Sequence, residues 1–428
     1  MKKIFFIIKK SLLQHKLSTV ITILSVALAA ALVMSVFSIR DQAESAFAGG
    51  PAGFDAVLGA RGSQLQLVLN TIFHLETSPG NIPWKDYKSL KNNQSVALAV
   101  PYAVGDNYKG YRIVGTTPDL FDKFEYTKGK TFEFQKGGKP FNPERREAVV
   151  GSYVAQKTGL KKGSVFNAYH GIDHNEDTRH EDKYEVTGVL KPTNSPSDRV
   201  IWVPIDQFYL TEGHVLRGAG EEYDAHEHHH HEGRSHGEVN IPDEHKEISA
   251  VMLKLKNPAL GFKLSNEFNR QGKDTTLAWP IGAVLAELFE KIGWVTKILT
   301  MVAYLVIAVA AGSILASIYN TMNERRREFA ILRALGAKKG TVFSSVVLEA
   351  VTISFIGTVI GFIFYFILMS FAAFIIRQQT GVVVDIFGLH PVLIIAPAVM
   401  IALGALAGII PAYKAYKTEV ASGLSPNS

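Results

Sequence analysis

Asn323-Glu324-Arg325-Arg326-Arg327-Glu328-Phe329-Ala330-Ile331-Leu332-Arg333-Ala334-Leu335-Gly336-Ala337 is a strongly basic stretch set between two long apolar runs. Phe329, Ile331, Leu332 and Leu335 recur at roughly three- and four-residue intervals, the spacing of a helix with one buried face. Glu324, Arg325, Arg326, Arg327, Glu328 and Arg333 supply the polar side. Gly336 is placed to end the helix, because glycine enters the left-handed conformation without a Cβ clash. Such a helix, tethered by two spans, can lie on a membrane surface or press into a soluble partner. The same residues also suit a solvated loop carrying ordinary positive-inside charge.

Outward from this stretch, the chain has 428 residues, is 47% hydrophobic and carries a formal net charge of +6. That mixture predicts a few membrane spans plus a water-facing domain. The absence of cysteine excludes disulfides and Cys-ligated zinc. The basic excess sits beside apolar runs, which points to anionic lipid headgroups and away from nucleic acid.

The expected organisation is a membrane α-helical protein with four transmembrane helices and a large extracytoplasmic α+β domain between helices 1 and 2. Residues 1–16 interleave Lys2, Lys3, Lys9, Lys10 and Lys16 with apolar side chains and read as a cytoplasmic amphipathic helix. Residues 17–39 carry no charge and are long enough to cross a bilayer. A cleavable signal peptide ending near Ala46-Phe47-Ala48 is the rival reading; the length of the apolar run favours an uncleaved anchor. Residues 40–291 contain no run that could span, and form the outward domain. Strands are expected over Ala97–Pro101, Tyr111–Gly115, Glu147–Val150, Tyr184–Leu190, Arg199–Val203 and Ile248–Leu255. Helices are expected over Gly62–Phe73, Trp84–Lys91 and Asn257–Gln271, with the domain divided into two lobes and the polar segment His170–Lys183 in the later one. Further spans are expected over 297–319, 342–376 and 390–411, with a coupling segment at 320–341, an external loop at 377–389 and a tail at 412–428. Lysine and arginine crowd the leader, the loop Arg325–Lys339 and the tail, which predicts that both termini and that loop are cytoplasmic.

One anchor, a large external domain and three closely spaced C-terminal spans resemble the MacB/FtsX/LolC-type permeases of ABC transporters. The stretch from Asn323 to Ala337 resembles that family's ERRREIGILRALGA signature, with Phe329-Ala330 in place of Ile-Gly. The tail Pro411-Ala412-Tyr413-Lys414-Ala415-Tyr416-Lys417 resembles the family's PAxxAxxx ending, and the leader around Ser11-Leu12-Leu13 and His15-Lys16-Leu17 its pre-span helix. The likeness covers both ends and the spans; it reaches the external domain only by position and size. It implies a subunit of the inner (plasma) membrane whose segment Glu324–Leu335 couples to a cytoplasmic ABC ATPase dimer, with a second copy of the permease completing the assembly. ATP and Mg would then reside on the partner, with no cofactor on this chain. A periplasmic partner or substrate-binding protein also fits that family. The chain's Gly-Lys pairs at Gly129, Gly138 and Gly272 lack the upstream glycine of a phosphate-binding loop. No ATPase segment precedes the first span, so the ATPase is expected on a separate chain and this subunit is expected to be non-catalytic. Export, extraction and mechanotransmission are all compatible with such a permease. An FtsX-like regulator of an extracytoplasmic hydrolase is the alternative.

The second distinctive stretch, 221–247, holds His226, His228, His229, His230, His231, His236 and His245 among nine carboxylates. Neutral imidazoles bind Zn²⁺ or Cu²⁺, with carboxylates as further ligands; a solvated His-rich loop is the plainer reading. His170, His174 and His180 form a sparser group. His226-Glu227-His228-His229-His230 matches His-Glu-x-x-His, the basis of a membrane metalloenzyme reading, but no apolar face would hold it as a helix. Gly357-x-x-x-Gly361 and Gly404-x-x-x-Gly408 suit close helix packing in lipid, within the subunit or between copies. Glu349, near the cytoplasmic start of the third span, is expected at the membrane interface or in the coupling loop and not buried.

Overall fold

In the computed structural model, residues 2–48, 53–127, 129–171, 175–211, 242–270, 273–380, 384–388 and 390–417 are described. The elements run α1 (Lys2–Gln14), α2 (Lys16–Ala48), β1 (Ala56–Ala60), α3 (Gln64–Thr71), β2 (Ile82–Pro83), α4 (Trp84–Lys91), β3 (Val96–Tyr108), β4 (Tyr111–Thr116), α5 (Asp119–Asp122), β5 (Glu125–Thr127) and β6 (Lys130–Thr131). They continue with β7 (Glu147–Val150), α6 (Ser152–Thr158), β8 (Val165–His170), β9 (Arg179–Val189), β10 (Ile201–Pro204), α7 (Ile205–Tyr209), β11 (Glu247–Ile248), β12 (Ala250–Leu255), α8 (Gly261–Phe268) and β13 (Thr275–Ala278). The chain ends in α9 (Ile281–Glu324), α10 (Arg326–Ala334), α11 (Lys339–Thr380) and α12 (Val392–Lys417). They divide into two units, one of 1–43, 292–375 and 384–428, the other of 44–291 and 376–383.

The first unit is helical. Among the described residues, four of its helices are long and apolar enough to cross a membrane, over Lys16–Gln42, Gly293–Glu324, Lys339–Gln378 and Val392–Lys414. Their outer faces show Leu24, Leu28, Leu305, Val309, Phe355 and Ile363, the side chains a lipid environment tolerates. Their inner faces are largely small. Val26, Ala30 and Met34 of α2 pack with Ala310 and Ile314 of α9, Ala350 and Tyr365 of α11 and Met400 of α12. Both glycine pairs serve packing within the subunit. A Cβ on Gly357 would meet Val26 Cβ at 2.7 Å, and one on Gly361 would meet Ala30 Cβ at 3.0 Å, so α11 lies tight against α2. A Cβ on Gly408 would meet Ala350 Cβ at 2.6 Å, which seats α12 on α11. Close backbone approach replaces the hydrophobic drive that lipid does not supply. Pro397 and Pro411 lie inside α12.

The second unit is built on one nine-stranded sheet in the order β13-β1-β12-β3-β4-β10-β7-β9-β8, with β8 also paired to β3. That last pairing closes β3, β4, β10, β7, β9 and β8 into a ring and removes a free edge. The expected two lobes are therefore one continuous sheet, because the long strand β3 belongs to both the open part and the ring. The polar segment expected in a second lobe is in part the start of β9, which begins at Arg179. Alternate residues of β1 and β12 enter different cores: Leu58 and Val251 enter one, Val57 and Met252 the other. Helix α4 forms at its expected place, while the expected 257–271 helix is a short 3-10 turn capped by Asn257 followed by α8.

Candidate functional site

The basic stretch forms an elbow. Helix α9 ends at Glu324, Arg325 takes a non-helical turn (φ −95°, ψ 8°), and α10 runs from Arg326. The stop is a Schellman arrangement: Gly336 N–H donates to Arg333 O at 3.0 Å and Ala337 N–H to Leu332 O at 3.0 Å. Gly336 sits at φ +96°, where a side chain would be strained, as its role as a terminator requires.

The elbow has two faces with different chemistry. On the inner face Arg325, Phe329 and Ala330 are buried at 5%, 6% and 4% exposure. The Arg325 guanidinium lies 4.9 Å from the Phe329 ring centroid. Its Nη1 donates to Ser11 Oγ at 2.5 Å and to Glu349 Oε2 at 3.3 Å, and its Nε to Glu328 Oε2 at 3.0 Å. Ser11 Oγ in turn donates to Glu349 Oε1 at 2.5 Å. His15 Nδ1 stands 2.9 Å from Glu324 Oε2. Three separate pieces of chain, α1, the α9–α10 elbow and α11, thus meet at one guanidinium. A buried cation is tolerated only when paired and hydrogen-bonded, and this one is held on both counts.

On the outer face the elbow shows Glu324, Arg326, Arg327 and Glu328 together with Ile331 (44% exposed) and Leu335 (80% exposed). Leu332 is half-buried and packs against the helical core, and Arg333 is half-buried. The predicted apolar quartet is therefore divided: Phe329 and Leu332 face inward, Ile331 and Leu335 outward. Ile331 and Leu335 are thus exposed apolar side chains one helical turn apart, rimmed by charge.

Glu349 differs from expectation. It is buried at 7% exposure, because the leader helix lies over it and supplies Ser11. Ser11 and His15 were not legible as site residues. Glu349 carried a signal, as the one acidic side chain in the apolar run Val342–Ile376, since charges inside spans are kept only with partners. In the leader helix, Ile8 and Ser11 are buried one turn apart, while Phe6 and Leu13 are exposed.

The candidate metal residues His226, His228, His229, His230, His231 and His236 lie outside the described residues, as does His174. His170 and His180 are described and stand together on the ring of strands.

Comparison with known proteins follows the same division. Residues 19–267, more than half of the chain, match the family model of the MacB-like periplasmic core domain. Residues 300–420 match that of the FtsX-like permease C-terminal domain. No curated protein matches the chain. Among solved structures, it is similar to the extracellular domain of the ABC-type transporter YknZ from Gram-positive bacteria. That likeness has 14% identity and a TM-score of 0.28, and covers 52% of this chain and 97% of that one. It is also similar to the periplasmic region of MacB from Actinobacillus actinomycetemcomitans, at 12% identity and a TM-score of 0.32, over 56% of this chain and 94% of that one.

Proposed function

The chain belongs to the MacB/FtsX-type family of ABC transporter permease subunits, and from that premise we propose that a separate cytoplasmic ATPase drives it through α10. The observation that carries this reading is the division of the elbow. Ile331 and Leu335 face outward with Arg326 and Arg327 beside them, while Arg325 on the other face grips Ser11 of α1 and Glu349 of α11. A push on the outer face would reach both neighbouring helices through that buried contact. Helix α9 would carry the movement onward, since its first turn buries Ile281, Val284 and Leu285 in the core of the sheet domain. The apolar pair supplies an anchor and the arginines supply steering.

In this reading both termini and the elbow are cytoplasmic, as the distribution of lysine and arginine implies. The sheet domain faces outward, two permease copies pair with two ATPase subunits, and ATP with Mg²⁺ is bound by the ATPase. The output is movement of the outward domain, used for export, extraction or the switching of an external partner.

The test is isolation of the chain from membranes together with a separately encoded cytoplasmic ATPase of the ABC class. The wild type is expected to co-purify and to alter ATP hydrolysis. Ile331→Asp combined with Leu335→Asp is expected to lose both while keeping the wild-type elution volume in detergent. Retention of ATPase binding by that variant would refute the assignment of α10.

A further inference from the structure

The ring of strands brings together a set of side chains that the transport reading does not use. Asp106 of β3 and His170 of β8 are directly opposed in the pairing that closes the ring. His180 is the second residue of β9, which follows β8 and pairs with it. Asp106 Oδ1 lies 3.3 Å from His180 Nε2 and 3.4 Å from His170 Nδ1. All three donor atoms lie within 4.8 Å of one another. The two imidazole rings stand edge to face, with centroids 5.9 Å apart.

These distances meet hydrogen-bond geometry and also suit a shared cation. A charge-assisted N–H···O bond settles near 2.7–2.9 Å, shorter than either contact here. Two ligand atoms each about 2.0–2.1 Å from a tetrahedral Zn²⁺ are separated by roughly 3.3–3.4 Å. Both imidazoles also converge on the same carboxylate oxygen, Asp106 Oδ1.

The surroundings hold the set in place. Asp106 and His180 are buried at 2% and 5% exposure. Asn107 Nδ2 donates to Tyr169 O at 3.2 Å and Gly171 O at 3.0 Å, and Gly171 N–H donates to Gly105 O at 2.7 Å. These bonds fix the backbone beside both Asp106 and His170. His170 is half exposed, which opens the cluster to solvent, and a cavity of about 340 Å³ borders Asp106 and Gly171.

We propose that Asp106, His170 and His180 form a binding site for a zinc-type divalent cation on the sheet domain, with the fourth position open. Two nitrogens and one oxygen suit Zn²⁺, in the pattern of three protein ligands and one exchangeable position. This site uses none of the histidines at 226–231 and does not depend on the assignment of α10.

The test uses the full-length chain in detergent, stripped of metal. Its background carries Gln at His226, His228, His229, His230, His231, His236 and His245, so that the histidine tract contributes nothing. Zn²⁺ binding is titrated in competition with a chelating dye, and Co²⁺ is titrated for its absorption spectrum. One equivalent is expected, with the intense visible bands of four-coordinate cobalt. His170→Gln is expected to weaken binding by more than the roughly 10–100-fold that loss of a mere orienting partner costs. Asp106→Asn is expected to do the same, and His170→Gln, at a half-exposed position, carries the result if the buried substitution impairs folding. A background chain that binds no stoichiometric Zn²⁺, or a His170→Gln chain that binds as tightly as the background, would overturn the proposal.

Discussion

Removal of the Glu349 carboxylate is the sharpest test of how the elbow is held. Glu349→Leu takes from Arg325 an acceptor at 3.3 Å and from Ser11 an acceptor at 2.5 Å, leaving the guanidinium at 5% exposure. Breaking a buried pair from one side costs about 3–5 kcal/mol, most of it the penalty for the ion left behind. Glu328 remains 3.0 Å from Nε and is itself half-exposed, so the lower end, about 3 kcal/mol, is expected. Since about 1.4 kcal/mol is tenfold, the folded-to-unfolded ratio should fall more than 100-fold. Arg325→Met combined with Glu349→Leu exchanges the pair for apolar volume and should recover most of the loss, because such exchanges are often near neutral. The assay is reversible unfolding of the full-length chain in mixed micelles, run as a double-mutant cycle. A Glu349→Leu variant within about 1 kcal/mol of wild type, or a double variant no more stable than the worse single one, would refute the reasoning.

Arg326→Glu with Arg327→Glu should slow association with the ATPase by roughly tenfold or more at low salt, with the difference shrinking as salt is raised. Surface plasmon resonance at two ionic strengths reads this directly. Gly357→Leu should separate α11 from α2 and destabilise the helical unit by about 1–3 kcal/mol in the same micelle titration. Gly312→Ala, where a Cβ meets nothing within 4 Å, should leave it unchanged. His74, hydrogen-bonded to Tyr102 at 2.9 Å, is held well below the usual histidine pKa by burial and then by Arg112 and Arg199. The unfolded chain takes up this proton below about pH 6.5 and the folded chain does not, so stability should fall on acidification by up to about 1.4 kcal/mol per pH unit. Denaturation at about pH 7.5 and about pH 5.5 should show His74→Gln with a shallower dependence; an unchanged slope would remove His74 from the account.

The helical part was legible because membrane spans announce themselves by length and by absence of charge, and the elbow because Gly336 punctuates a helical period. What could not be read was which arginine turns inward. Arg325, Arg326 and Arg327 are chemically alike and adjacent; only Ser11 and Glu349, brought in by other helices, select Arg325. Strand β1 was missed for a related reason. Ala56-Val57-Leu58 is buried on both sides, so its sequence has no alternation to mark it. The polar start of β9 hid the strand in the opposite way, since Arg179, Glu181 and Lys183 face solvent. The Asp106–His180 contact joins residues 74 positions apart and depends on ring closure, which no local pattern encodes.

The chain contains no cysteine, so a single one at Leu335→Cys is the sole thiol target on the permease. In intact membranes with the ATPase bound, a short bifunctional thiol reagent should join position 335 to the ATPase. A membrane-impermeant maleimide applied from outside should leave that position unlabelled. Labelling from outside, or no cross-link at position 335 while the ATPase remains bound, would contradict the claim that force enters this protein through α10.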